Sequence, residues 1–296
     1  MGRHGAGVAV GPLLCVGLSV LCFQFGAALV PPLFARVGAE GASALRLSLA
    51  ACVLAVVLRP WRGALPRAAL GWTVGYGLGL AGLNLFFYLA IRTLPLGVTV
   101  AVEFLGPLSL AVMSSHRRID LVWAMLAGAG MLCLVPAAQA GDARDLTGFG
   151  FALLSAASWV GYIVCGQRAG QLGSRAVALG VAVAAVTVLP LGVAHAGRDL
   201  FDADVLPLAL AVALISGCLP YGLEMVALKR LPTRVFGILM SLEPAAGALF
   251  GYLLLGQHLS GLQFAAILAV MAASAGSSLS GRPDPDPATL SPATSA

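Results

Sequence analysis

Four ionisable side chains sit inside apolar runs where charge is expensive. Glu103 lies in "VAVEFLGP", Glu243 in "MSLEPAAG", Arg46 in "ALRLSL" and Glu224 in "YGLEMVAL". Such a group costs about 2.5–3.5 kcal/mol near the centre of a bilayer, so it faces a cavity or a partner. A carboxyl there can exchange a proton or pair with an ammonium group, and a guanidinium can hold a carboxylate. Glu103 and Glu243 each adjoin a proline. Proline has no N–H to give the carbonyl four residues back. Pro107 therefore frees the carbonyl of Glu103, and Pro244 that of Met240. A kink at each proline would offer a bare carbonyl and a carboxyl near mid-membrane. The alternative for each glutamate is a protonated acid bonding a neighbouring helix. Arg46 either meets a solute or snorkels to the nearer interface. Glu224, five residues before Lys229, reads as a structural residue near the membrane boundary.

Uncharged polar residues could complete a solute site. Gln24, Asn84, Tyr162 and Gln167 can hydrogen-bond a solute, and Trp159 and Tyr221 can supply a wall, although each alone is more often a packing residue or an interfacial aromatic. Other chemistries are poorly supported. The six cysteines lie in apolar runs and form no CxxC pair, so neither a metal site nor a disulfide framework is indicated. "GLGLAG" at 77–82 matches GxGxxG, but it sits within an apolar run with no strand before it. Gly75 and Gly79 make GxxxG, a close-packing motif. The histidines, His4, His116, His195 and His258, lie at or beyond run ends, which leaves no deep general base for a serine protease. No catalytic residue, metal or cofactor is expected.

The elements that must position these residues are membrane helices. Of the 296 residues, 59% are apolar and 10% charged, and the mean hydropathy is +0.96. Soluble domains carry about 25% charged residues. Apolar runs of roughly 20 residues can cross a bilayer, and ten occur, at 10–30, 41–58, 69–90, 95–113, 121–138, 147–166, 176–195, 204–227, 233–254 and 260–279. The first is read as a retained helix. The net charge of +5 rests on scattered arginines, with no basic stripe for nucleic acid. With the N-terminus inside, twelve of the 17 Arg and Lys fall on inner loops and four on outer ones, with Arg46 within a helix. This bias predicts both termini in the cytoplasm. "AIRTLP" at 90–95 recurs as "ALKRLP" at 227–232, a shift of 137 residues, and the same shift carries Pro107 onto Pro244. Two halves of five helices follow, at 10–138 and 147–280. Five is odd, so the halves are inverted, as in many secondary transporters. The Pro-rich tail at 281–296 is expected to be disordered.

The paired "A-x-[RK]-x-L-P" segments and their proline-containing helices resemble the EamA-type members of the drug/metabolite transporter superfamily. "LPLGVTVAVEFLGPLSLAV" at 94–112 and "SLEPAAGALFGYLLLGQHLS" at 241–260 are most similar to bacterial inner-membrane threonine/homoserine exporters. The resemblance implies an all-α fold with a central cavity lined mainly by helices 1, 3, 4, 6, 8 and 9. That puts Gln24, Asn84, Glu103, Trp159, Tyr221 and Glu243 on lining helices, and supports Arg46 less. It implies secondary-active export of small hydrophilic metabolites across the inner membrane, most of all threonine- or homoserine-like amino acids, with protons as the natural coupling ion. The alternatives are efflux of an aromatic compound, a purine or a drug, and an intramembrane enzyme. The substrate, the coupling ion and the oligomeric state are not readable from these residues.

Overall fold

Apolar side chains have to be covered by lipid or by each other, and backbone polar groups have to bond within the segment. Helices are the outcome throughout. The computed structural model describes residues 10–62, 66–113, 118–139, 143–169, 173–228, 230–231 and 233–280, and no strand occurs among them. The tail at 281–296 lies outside the described residues. The first half contains α1 (Val10–Ala28), α2 (Pro31–Leu58), α3 (Arg67–Ala90), α4 (Leu96–Glu103), α5 (Leu105–Met113) and α6 (Arg118–Gln139). The second contains α7 (Ala143–Ala169), α8 (Ser174–Ala196), α9 (Leu206–Ala213), α10 (Leu219–Leu228), α11 (Thr233–Met240), α12 (Glu243–Leu255) and α13 (Gly261–Ser280).

These helices make ten passes, because α4–α5, α9–α10 and α11–α12 each form one interrupted crossing. Nine segments are long and apolar enough to span a membrane, and a shorter apolar helix at Ile119–Gly130 lies within α6. The outward faces carry side chains such as Leu14, Val56, Leu121, Val186 and Leu253, all more than 40% exposed. Lipid is the solvent that suits such a coat.

Two features depart from the sequence reading. The second helix does not start at residue 41 but at Pro31, with a break at Gly38, whose φ of 68° favours glycine. The eighth crossing contains a π turn, Leu214–Cys218, between α9 and α10.

The two halves pack as inverted copies. α3 lies on α7, and its counterpart α10 lies on α1. α3 also meets α8, as α9 meets α2, and α5 meets α7, as α12 meets α1. α2 with α8 and α6 with α13 are self-matched pairs on the pseudo-twofold. Small residues allow this closeness. A Cβ on Gly79 would lie 2.6 Å from the Tyr162 nitrogen, and one on Gly75 would lie 2.8 Å from Cys165 Sγ. The "GLGLAG" run and the GxxxG that overlaps it are therefore helix-packing surface against α7 and, at Gly77, against α8.

Candidate functional site

Between the halves lies a cavity of about 680 Å³, within the range of small-molecule sites. α1 contributes Gln24, α2 Arg46, α3 Asn84, α7 Trp159 and α10 Tyr221; the two proline-broken crossings contribute Glu103 and Glu243. Tyr162 and Gln167 also border it. Pro107 is on the lining, whereas Pro244 is buried in the first turn of α12. Both crossings are interrupted in the turn before their proline. α4 ends at Glu103 and α5 begins at Leu105, while α11 ends at Met240 and α12 begins at Glu243. Glu103 thus closes a helix, where unpaired carbonyls disfavour negative charge. Glu243 opens one, where free N–H groups favour it.

Arg46 is 8% exposed and does not snorkel. Its Nε donates to Ser216 Oγ at 2.9 Å and its Nη2 to the Ser216 carbonyl at 2.5 Å. Its Cζ stands 5.9 Å from the Tyr88 ring centroid, within cation–π range. The carbonyl is available for a reason written in the chain. Residue 220, four positions on, is a proline and cannot donate to it. The π turn gives Ser216 its position, and such insertions are frequent at functional sites. Gly26 of α1 packs directly on the Ser216 side chain, where a Cβ would come within 2.4 Å.

The glutamates differ in their partners. Ser155 on α7 bonds the Glu103 carboxyl, and its hydroxyl also lies 2.8 Å from the Leu83 carbonyl. A hydroxyl has one hydrogen. When it goes to Leu83, only a protonated Glu103 can complete the second bond. When Glu103 is ionised, the two acceptors compete for that hydrogen. Ser19 on α1 donates to Glu224 at 2.7 Å. Among the described residues no hydrogen bond reaches Glu243, which lines the same cavity as Glu224 and Glu103. The Gln24 carbonyl oxygen is buried without a partner among the described residues. Aromatic contacts fix the walls: Phe23 meets Tyr221 edge-on at 5.6 Å, and Phe104 meets Trp159 edge-on at 5.2 Å.

The sequence places Glu224 toward the inner end of its helix as a structural residue; it does lie near that end, and its side chain also borders the cavity. Ser19, Ser155 and Ser216 were not singled out at all. A serine in an apolar run is common and carries no mark of its partner. Only Ser216 had a readable signal, through the proline four residues on.

The cavity opens toward one side of the membrane. Its mouth is bordered by Gln167, Glu224, Phe236 and Ser278. Each lies within about one turn of the helix end on the side where α1 begins and α13 ends. The opposite side is shut by α4 against α12. There a Cβ on Gly97 would lie 2.7 Å from the Ala248 nitrogen, and the Leu96 N–H donates to Gln257 Oε1 at 2.9 Å. Phe25 and Phe250 meet edge-on at 5.6 Å in the same layer. The other halves of these crossings diverge, so that Leu108 of α5 and Phe236 of α11 face the cavity. An inverted repeat thus has one matched end closed and the other open. Beyond the closed end, Arg36 pairs with Asp202 at 3.2 Å and Asp204 at 3.4 Å.

Known proteins share this architecture. A solved crystal structure with 21% sequence identity matches 90% of this chain and 97% of its own, with a TM-score of 0.58, which establishes likeness of fold. The chain is 46% identical over 275 residues to the threonine/homoserine exporter RhtA of Salmonella typhimurium, covering 93% of each. It is 45% identical over 272 residues to RhtA of Escherichia coli, covering 92% of each. A probable amino-acid metabolite efflux pump of Salmonella typhimurium is 28% identical over 227 residues, covering 70% of this chain and 76% of its own. The profile of the EamA-like transporter family matches residues 146–279. With ten passes in two inverted halves and relatives this similar over nearly its whole length, the chain belongs to the EamA-like transporter family.

Proposed function

We propose that this protein exports threonine, homoserine and similar small amino acids across the bacterial inner membrane by alternating access, driven by protons. The observation that carries the reading is one buried guanidinium and three carboxyls around one cavity open at a single end. A zwitterion needs both signs. Arg46, held by Ser216, takes the α-carboxylate with its remaining N–H donors. Glu103 or Glu243 takes the ammonium, and the same carboxyls carry the proton when the solute has left. Gln24 and Asn84 offer amide groups to a side-chain hydroxyl, and Trp159 and Tyr221 bound the volume. The broken crossings at Pro107 and Pro244 are the moving parts, opening and closing the two ends in turn. Both termini lie in the cytoplasm on the charge bias of the loops, so the cavity described here faces inward. The names of the similar exporters support the substrate class.

The wall residues Phe87, Phe104, Trp159 and Tyr221 favour a second reading, efflux of an aromatic solute. One experiment separates the two. Cells expressing the protein are challenged with a panel of amino acids, amino-acid analogues and aromatic compounds, and extracellular solutes are measured. Threonine and homoserine export, lost in the Glu103→Gln/Glu243→Gln double variant at matched membrane levels, is the expected result. Full export by the double variant overturns the site, and export of aromatic compounds alone overturns the substrate.

A further inference from the structure

Glu224 is the carboxyl that the solute-binding scheme leaves unused, and its place in the cavity differs from the others. Arg46, Asn84 and Glu103 lie deep in the cavity, whereas Glu224 lies four residues from the end of α10, at the mouth on the side where α1 begins and α13 ends. Its carboxyl accepts the hydroxyl of Ser19, which is fully buried on α1. Tyr162 of α7, Tyr221 of its own helix and Glu243 of α12 line the same cavity, and the ring of Tyr76 of α3 lies against Tyr162. None of these is a cation. Arg46, the one cation on the cavity lining among the described residues, is bonded to Ser216 instead.

From this arrangement we infer that Glu224 is a separate proton site, through which the coupling proton leaves the cavity for the cytoplasm. The inference rests on the exporter reading above. The charge count supports it: three carboxylates facing one guanidinium would leave two uncompensated negative charges in a low-dielectric space. Protons on two of the carboxyls remove them. Glu243 lines the same cavity as Glu103 and Glu224. A proton delivered to Glu243 from the far side can therefore pass to Glu224. From Glu224 it crosses to water at the mouth, leaving a carboxylate that still accepts the Ser19 hydroxyl. Glu243 is then free to take the ammonium of the next solute. Ser19 is a positioning residue, which holds the carboxylate through its hydroxyl.

The test uses the full chain in proteoliposomes and in detergent. Labelled threonine is followed in two modes: exchange at symmetric pH, and accumulation driven by a gradient of one pH unit, which supports about tenfold accumulation per proton. Glu224→Gln is expected to abolish the tenfold accumulation and threonine-induced proton flux, while exchange falls by no more than about threefold. Glu224→Asp should restore part of the accumulation. Glu224→Gln proteoliposomes that still concentrate threonine overturn the inference. So does loss of exchange and accumulation in equal proportion in folded protein, the signature of a structural residue. Wild-type protein that exchanges no threonine would overturn the substrate reading instead. A pH titration followed by infrared difference spectra needs no solute: the carboxyl C=O signal of wild type should lose one component in Glu224→Gln. An unchanged titration overturns the inference on its own.

Discussion

Replacing Gly97 with valine should prop open the closed end of the transporter. In the structure a Cβ at residue 97 would sit 2.7 Å from the nitrogen and Cα of Ala248 and 2.8 Å from its Cβ. Carbon atoms rest at about 3.5–4.0 Å, so α4 and α12 must part by roughly 1 Å. The obstructing atoms are mostly backbone and cannot rotate away. Overpacking of this kind costs about 1–3 kcal/mol, and it falls only on the state in which α4 and α12 touch. The conformational equilibrium should therefore move about 5- to 150-fold toward opening at that end. The readout is a single cysteine, Val100→Cys, in a background without native cysteines. Val100 is 1% exposed in the closed layer, so an impermeant maleimide added from outside should label it slowly. Adding Gly97→Val should raise the labelling rate at least about fivefold. Equal rates, with both proteins stable in the membrane, would refute the assignment of this layer as the closed gate.

Other outcomes follow from the same geometry. A reporter active only in the periplasm, fused after Ala296, should stay silent, and inserted in the loop 199–204 it should be active; the reverse pattern would invert the topology. Arg46→Lys keeps the charge but loses the fork that grips Ser216, so the apparent affinity for threonine should fall by about tenfold or more, measured by exchange at varied solute concentration. Ser155→Ala removes the single hydrogen contested by Leu83 and Glu103, so the pH profile of export should shift while protein stays in the membrane. Pro107→Ala and Pro244→Ala restore a backbone hydrogen bond and should lower the export rate more than solute affinity, measured as concentration-dependent efflux.

Much was determined by the chain alone, because lipid imposes simple demands. Apolar runs of sufficient length had to become helices, an odd number of them per repeat had to invert the second half, and prolines had to free the carbonyls of Glu103 and Met240. Burial of Glu103, Glu243 and Arg46 followed from the cost of stray charge in a bilayer. The tertiary structure decided what those rules leave open. Arg46 could have reached the interface, but the Ser216 carbonyl, freed by Pro220 and turned by the π segment, holds it at the cavity. Glu224 lies near the inner end of its helix, as the chain suggests, yet its partner Ser19 is 205 residues away. The closed end was also invisible in advance. "LPLGVTV" and "AAGALFG" are apolar runs with small residues like many others here, and only their meeting across the pseudo-twofold makes Gly97 and Ala248 a gate. Local patterns dictate which segments are helices, because backbone bonding is local. Which serine meets which glutamate depends on how two inverted halves dock, and that is a long-range property.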